Sequence, residues 1–148
     1  MKKGPSAERT DPYRSFNFYI EMDGIAQASF MECSGLEATT EVIENREGGD
    51  NVTVKKLPGK TSYMDITLKW GLTASDELWK WRQDVIQGTV KRRHGSIVVL
   101  DLRNQIEVAR WNFVNAWPTK WDGPTLNAKG NEVAIETLVL AHEGIQRA

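Results

Sequence analysis

The chain has 148 residues, of which 40% are hydrophobic and 26% charged, with a formal net charge of −1. That length suits one domain with a core of its own, and the composition is globular rather than disordered. The near-neutral charge disfavours a protein held to nucleic acid by phosphate contacts, and the single cysteine, Cys33, excludes an intrachain disulfide and points to folding in a reducing compartment.

The first twelve residues carry Lys2, Lys3, Glu8, Arg9, Gly4 and Pro5 with almost nothing to bury. They are expected to form a flexible arm that orders on assembly, with residues 13–148 as a single β domain. No apolar run follows the early lysines, so no secretory signal is read there, and the run from Ile97 to Leu100 is far short of the ~20 residues that span a bilayer.

Residues 13–22 alternate. Phe16, Phe18, Ile20 and Met22 fall on one face and Asn17, Tyr19 and Glu21 on the other, which predicts a strand. Asp23-Gly24 predicts a tight hairpin turn into a second strand over 25–33, broken at Ser34-Gly35. Residues 39–57 predict a long hairpin with its tip at 47–51. This hairpin has few large apolar side chains and a polarised charge. Five acids against Arg46 give −4 over residues 37–50, and Lys55, Lys56 and Lys60 give +3 on the return. Such a hairpin is either a solvated ribbon or an arm that reaches a neighbouring subunit.

Leu57-Pro58-Gly59 predicts a turn. Residues 63–70 predict a strand in which Met64, Ile66, Leu68 and Trp70 alternate with Tyr63, Asp65, Thr67 and Lys69. A helix is predicted over 75–87, capped by Thr73 or Ser75 and stopped at Gly88. Leu78, Trp81 and Val85, with Ile86 beside them, form its apolar stripe, and Lys80 and Arg82 face water. Trp79 lies off the stripe, as a flanking core residue or an exposed contact. Residues 91–95 predict a basic turn and 97–102 a short strand. Residues 106–117 predict a long strand, 118–129 a loop and 131–142 a last strand. The last two long strands are apolar on both faces, so a second sheet or a second copy of the chain must cover them. The fold class expected is mainly β: an antiparallel sandwich or barrel of about seven or eight strands with one outer helix and a long extended hairpin.

Catalytic signals are sparse. Cys33 sits at the end of an apolar strand, where a buried inert thiol is the common outcome, and His94 and His142 are the only histidines. One cysteine and two scattered histidines do not make a zinc site. Gly59-Lys60-Thr61 resembles the end of a phosphate-binding loop, but Val54 stands where a glycine is required and a strand follows where a helix is required. No enzyme activity, metal or cofactor is expected. The basic run at Lys91, Arg92 and Arg93, together with six tryptophans, keeps one alternative of another class: a small barrel that grips single-stranded nucleic acid.

Several segments together resemble one known family. They are Phe16-Asn17-Phe18-Tyr19-Ile20-Glu21-Met22-Asp23-Gly24, Phe30-Met31-Glu32-Cys33-Ser34-Gly35-Leu36-Glu37, Asn45-Arg46-Glu47-Gly48-Gly49, Lys56-Leu57-Pro58-Gly59 and Ile66-Thr67-Leu68-Lys69-Trp70-Gly71. Leu78-Trp79-Lys80-Trp81, Trp111-Asn112-Phe113-Val114-Asn115-Ala116-Trp117-Pro118-Thr119-Lys120-Trp121 and Ile135-Glu136-Thr137-Leu138-Val139-Leu140-Ala141-His142-Glu143-Gly144 continue the series in order. The pattern resembles the tail tube (inner tube) proteins of contractile phage tails and phage-tail-like contractile injection systems, with extracellular injection particles nearest.

The resemblance implies a structural subunit that forms hexameric rings stacked into a hollow tube, through which cargo is delivered when a surrounding sheath contracts. It implies assembly in the bacterial cytoplasm and a mature particle that is extracellular or virion-like. Implied partners are further copies of the chain, a sheath protein, baseplate, initiator and terminator proteins, and a tape measure or cargo effector in the lumen. No membrane insertion of its own and no specific nucleic acid are implied. Glu41, Glu44, Arg46, Glu47, Gly48, Gly49, Asp50, Lys55 and Lys56 would form the subunit and ring-stacking hairpin. Tyr63, Asp65, Thr67 and Lys69 would face the lumen, and Trp79, Lys80, Arg82 and Gln83 the sheath. A tube-initiator or baseplate paralogue that forms a single ring is the near alternative.

Overall fold

The computed structural model describes residues 11–12, 15–25, 30–46, 48, 53–103, 105–130 and 132–148. The elements run β1 (Phe16–Met22), β2 (Glu32–Ser34), β3 (Ala38–Asn45), β4 (Lys55–Tyr63), β5 (Ile66–Gly71), α1 (Glu77–Ile86), β6 (Arg93–Asp101), β7 (Ile106–Asp122), β8 (Ile135–Ala141) and β9 (Gly144–Arg147). The strands pair in the order β1-β6-β7-β8-β5-β2, with β9 also on β7, and β3 and β4 form a separate two-stranded ribbon. Every ladder is antiparallel. The expected mainly β, antiparallel sandwich with one helix is the architecture found. It has nine strands among the described residues, and its leaves do not close into a barrel within one chain.

Strand β7 belongs to both leaves. Its first part lies between β6 and β9, and its last part pairs with β8. The two partners continue each other along one edge of β7: Val114 faces Gly144 and Trp117 faces Ala141. The strand bends at Asn115, whose φ is 51°. The register on β6 slips between Arg93 and Gly95 at the same place, so this is a bulge. Asparagine tolerates the left-handed region better than most residues, and its polar groups are held here. Its N–H donates to His94 Nδ1 at 3.3 Å, and its Nδ2 donates to Glu143 Oε2 at 2.5 Å.

The core lies between the leaves. Ile20, Met22, Ile97 and Phe113 meet Ile66, Leu68, Trp70, Leu138 and Leu140, and Leu78 and Trp81 of α1 join them. Period two in β5 makes the pattern visible, because Ile66, Leu68 and Trp70 are buried while Thr67 and Lys69 point away. Phe30 meets Trp70 edge-on at 6.0 Å. Burying a side chain of this size is worth about 1.5–3 kcal/mol.

Several expected boundaries are corrected. Asp23-Gly24 makes a turn with a single bridge from Met22 to Ile25, but β1 pairs with β6, and β2 pairs with β5. Residues 26–29 of the expected second strand lie outside the described residues. Leu57-Pro58-Gly59 is not a turn but the middle of β4, at a bulge: Thr40 faces Thr61 while Val42 faces Pro58. Pro58 fits because the ribbon has a side with no ladder to donate to. The strand expected over 63–70 is split at Met64-Asp65, and Met64 is 55% exposed rather than buried.

The helix starts at Glu77 with Asp76 at the cap and no side-chain cap bond. Thr73 Oγ1 instead accepts from Ser75 N. Ile86 is 58% exposed, off the stripe. Gly88, at φ 93°, stops the helix as expected, with its N–H on the Val85 carbonyl and that of Thr89 on the Asp84 carbonyl. The basic turn is a strand from Arg93 onward, because Arg93 stacks over Trp81 at 5.3 Å and Trp81 Nε1 donates to the Lys91 carbonyl at 2.7 Å. Residues 118–122 are strand rather than loop, with Pro118 buried opposite Leu140. The last strand begins at Ile135, leaving Val133 exposed before it. It breaks at His142-Glu143 and resumes as β9.

Candidate assembly surfaces

The β3–β4 ribbon stands away from the core. Every residue of β3 is exposed, as is all of β4 except Gly59. A solitary chain thereby leaves Val42, Ile43 and Leu57 in solvent. The ribbon is regular nonetheless. Glu44 faces Lys56, Asn45 faces Lys55, and the Thr40 and Thr61 hydroxyls share a hydrogen bond of 2.9 Å. Opposed charges and paired hydroxyls of this kind are worth about 0.2–1 kcal/mol each. Of the expected hairpin residues, Glu41, Glu44, Arg46, Gly48, Lys55 and Lys56 are exposed here, while Glu47, Gly49 and Asp50 lie outside the described residues.

The base of the ribbon is fixed by groups far apart in sequence. Met64 N–H donates to the Glu37 carbonyl at 3.1 Å. His142 Nε2 donates to the Met64 carbonyl at 2.8 Å, and His142 Nδ1 accepts the Gly144 N–H at 3.2 Å. Those two bonds define the neutral imidazole with its proton on Nε2. Tyr63 packs beside the same ring, with centroids 5.7 Å apart. No sequence pattern announces these anchors: the Glu37–Met64 bond ties the two ends of the ribbon together, and His142 ties them to the turn between β8 and β9.

The four residues expected to face a lumen do not share one strand. Thr67 and Lys69 lie on the outer face of β5, where Lys69 pairs with Glu32 at 3.2 Å. Asp65 is in the link, and Tyr63 ends β4. The outer face of the other leaf is also polar. There Ser96 Oγ donates to Asn112 Oδ1 at 2.6 Å, and Arg110 pairs with Glu21 at 3.1 Å and with Glu107 at 2.6 Å. Hydrogen bonds to Glu21 first and Glu107 second hold the Arg110 guanidinium charged. This cluster was not expected from the sequence, since its members come from three segments.

On α1, Trp79 and Lys80 are exposed, and Arg82 and Gln83 are half-buried. Trp79 packs edge-on against Trp121 at 4.5 Å, and Arg82 Nη1 donates to the Pro118 carbonyl at 3.4 Å. The basic run is partly engaged with the helix as well, since Lys91 pairs with Asp84 at 3.6 Å.

Among the described residues, strand edges remain open on β1, on the far side of β9 and on β2. A depression of about 410 Å³ runs beside β9, lined by Tyr63, Asn112, Val114, Gly144, Ile145 and Gln146. Cys33 is largely buried; that burial, and then the Glu32 carboxylate, push its thiol up to about 11. A thiol held neutral in this way is a poor nucleophile. Among the described residues no group of three or more His, Cys, Asp or Glu is placed to hold a metal ion, and no helix is long and apolar enough to cross a membrane.

No curated protein matches the chain. Solved structures do. A chain of the anti-feeding prophage baseplate, determined by cryo-electron microscopy, is similar over 95% of this chain and 97% of its own, at 25% identity and a TM-score of 0.82. A chain of the sheath–tube complex of the extracellular contractile injection system PVC, in its extended state, covers 96% and 93% at 25% identity and a TM-score of 0.79. Hcp1 from Flavobacterium johnsoniae covers 88% and 93% at 14% identity and a TM-score of 0.59, which is a likeness of fold. The family model for the T4-like virus tail tube protein gp19 matches residues 14–146. This chain belongs to the gp19 tail tube protein family.

Proposed function

We propose that this chain is an inner-tube subunit of an extracellular contractile injection system. Copies assemble into hexameric rings, and the rings stack into a hollow tube. The role is mechanical and uses no catalytic residue. The observation that carries this reading is the exposed β3–β4 ribbon: a regular, charged, apolar-studded arm that none of the described residues covers. Family membership and the likeness to a sheath–tube complex support it.

In this reading the ribbon residues Glu41, Glu44, Arg46, Glu47, Gly48, Gly49, Asp50, Lys55 and Lys56 contact neighbouring subunits within and between rings. The open edges of β1, β2 and β9 accept strands of adjacent copies, which satisfies backbone groups a monomer leaves unpaired. Thr67 and Lys69 belong to the polar lining of the conduit, with Tyr63 and Asp65 near its margin. A polar surface with paired charges lets a cargo effector or tape measure pass without adhering. Trp79, Lys80, Arg82 and Gln83 face the sheath. Baseplate, initiator and terminator proteins meet the ends of the tube, and assembly takes place in the bacterial cytoplasm before the particle is released.

The test is electron microscopy of the protein with residues 47–51 deleted, beside the full chain. The full chain should form rings and tubes. The shortened chain should keep its fold, by circular dichroism, and stack poorly. Tubes of unchanged length from the shortened chain would remove the hairpin tip from the mechanism.

A further inference from the structure

The chain has two histidines, and both hold the same kind of group. His94 Nδ1 accepts the Asn115 N–H at 3.3 Å, and His142 Nδ1 accepts the Gly144 N–H at 3.2 Å. Both amides stand where a strand is interrupted. The β6 ladder passes from Phe113 to Ala116, and the ladders on the other edge of β7 pass from Val114 to Trp117, so Asn115 is skipped on both sides. Gly144 opens β9 just after the chain leaves β8. The two places form one cluster. Val114 is paired with Gly144, and its carbonyl accepts the Glu143 N–H at 3.0 Å. Asn115 Nδ2 donates to the Glu143 carboxylate, and His142 Nε2 donates to the Met64 carbonyl at the ribbon base. A chain of bonds therefore runs from β6, through the bend of β7 and the β8–β9 turn, to the ribbon.

We propose that His94 and His142 form an acid-sensitive latch, which holds the β7 bend and the ribbon base while both rings are neutral and frees them together when the rings take up protons. The latch is a property of the single chain. That it also governs contacts between copies is a consequence that rests on the role proposed above for the ribbon. A neutral imidazole offers one lone pair, whereas both nitrogens of the protonated ring donate. Each Nδ1–H would then meet a backbone N–H, so each ring must turn away and release its amide. Free imidazole ionises at about pH 6.5, so mild acid suffices. His94 is exposed and His142 half-buried, so protons reach both. The surroundings give the charged rings new partners. Asp23 Oδ2 already accepts the His94 N–H at 3.2 Å, and Glu21 shares with His94 a depression of about 330 Å³. Glu143 follows His142 directly, and drawing its carboxylate towards a charged ring takes it from Asn115. Arg93, beside His94, is turned onto Trp81. The Tyr63 ring packs on His142, and Glu37 and Asp65 flank the ribbon base. Acids thus outnumber bases around the pair, and mild acid exchanges partners at the latch while the core stays folded.

The test is amide hydrogen exchange of the full chain, each rate divided by the intrinsic rate at the same pH. Between about pH 7.5 and about pH 5.5, protection at Met64, Asn115 and Gly144 should fall by at least about tenfold, as each loses a bond or its support. Protection at Leu68 and Leu138, opposite each other in the β5–β8 ladder, should hold. Nitrogen NMR of the rings should show both histidines neutral, with the proton on Nε2, at the higher pH and both charged at the lower. The double variant His94→Asn with His142→Asn places an amide oxygen near each Nδ1 position and cannot take up a proton there, so its protection at Asn115 and Gly144 should be the same at both pH values. Those NMR and exchange readings of the natural chain decide the matter even where the variant fails to fold. Rings that stay neutral at about pH 5.5 would overturn the latch. So would unchanged protection at the three amides, a fall that extends equally to Leu68 and Leu138, or a folded variant that responds to acid as the natural chain does. None of these results bears on whether copies form a tube, which electron microscopy at neutral pH reads separately.

Discussion

Gly35 lies against the backbone of Asp65 so closely that a Cβ there would overlap the Asp65 carbonyl oxygen, and its φ is 90°. The contact sits where the chain leaves β2 for the ribbon and where the ribbon returns to β5. Gly35→Ala therefore incurs both left-handed strain and a collision with backbone that cannot rotate away. The expected loss is about 2–5 kcal/mol, from strain and overpacking together. Urea denaturation would read it as a lower midpoint at unchanged slope. A variant as stable as the natural chain would show that this crossing yields.

Asn115 sets the bend that carries β7 from one leaf to the other. Asn115→Gly keeps the left-handed backbone and loses the bond to Glu143, so it should cost about 0.5–1.5 kcal/mol. Asn115→Val loses the same bond and adds about 1–2 kcal/mol for a branched side chain at that φ. Thermal melting should rank the natural chain above the glycine variant and the glycine above the valine. Equal melting of the two variants would mean that the bend does not depend on φ at this position.

How much of this was legible in the sequence depends on how local each cause is. The alternation of Ile66, Leu68 and Trp70 reports burial directly, and Gly88 announces the helix stop through its own backbone freedom. The ribbon was visible because Glu47-Gly48-Gly49-Asp50-Asn51 reads as a tip between two limbs of opposite charge. Arg93 looked like part of a charged turn, since its reason for being in a strand is Trp81, twelve residues earlier and on another element. Pro118 looked like a loop residue because proline cannot donate to a ladder. Its flank away from β8 needs no donor, as the β6 ladder ends at Ala116. The four lumen candidates were read as one alternating strand, and the break at Met64-Asp65, held by Glu37 and His142, divides them.

His142 ties the ribbon base to the turn before β9. His142→Ala removes the donor to the Met64 carbonyl and the acceptor for the Gly144 N–H, and should cost about 1–3 kcal/mol. The ribbon should become easier to cut at Lys55, Lys56 and Lys60 under limited trypsin digestion, with the sandwich left whole. An unchanged digestion pattern would show that the Glu37–Met64 bond alone suffices.

Cys33 supplies a pH prediction. Folding favours its neutral thiol, raised to about 11 mainly by burial. The unfolded thiol ionises from about pH 8.5, so this group takes stability away as pH rises above that value towards 11, and has no effect below it. At pH 8 a maleimide should label the folded chain slowly and the denatured chain at once. Rapid labelling of the folded chain would contradict the burial.

The most direct measurement of the central claim is negative-stain electron microscopy of the purified full chain across a concentration series. Hollow rings that stack into tubes as concentration rises are the predicted result. Single globular particles at every concentration, with no ring at the highest, would contradict it.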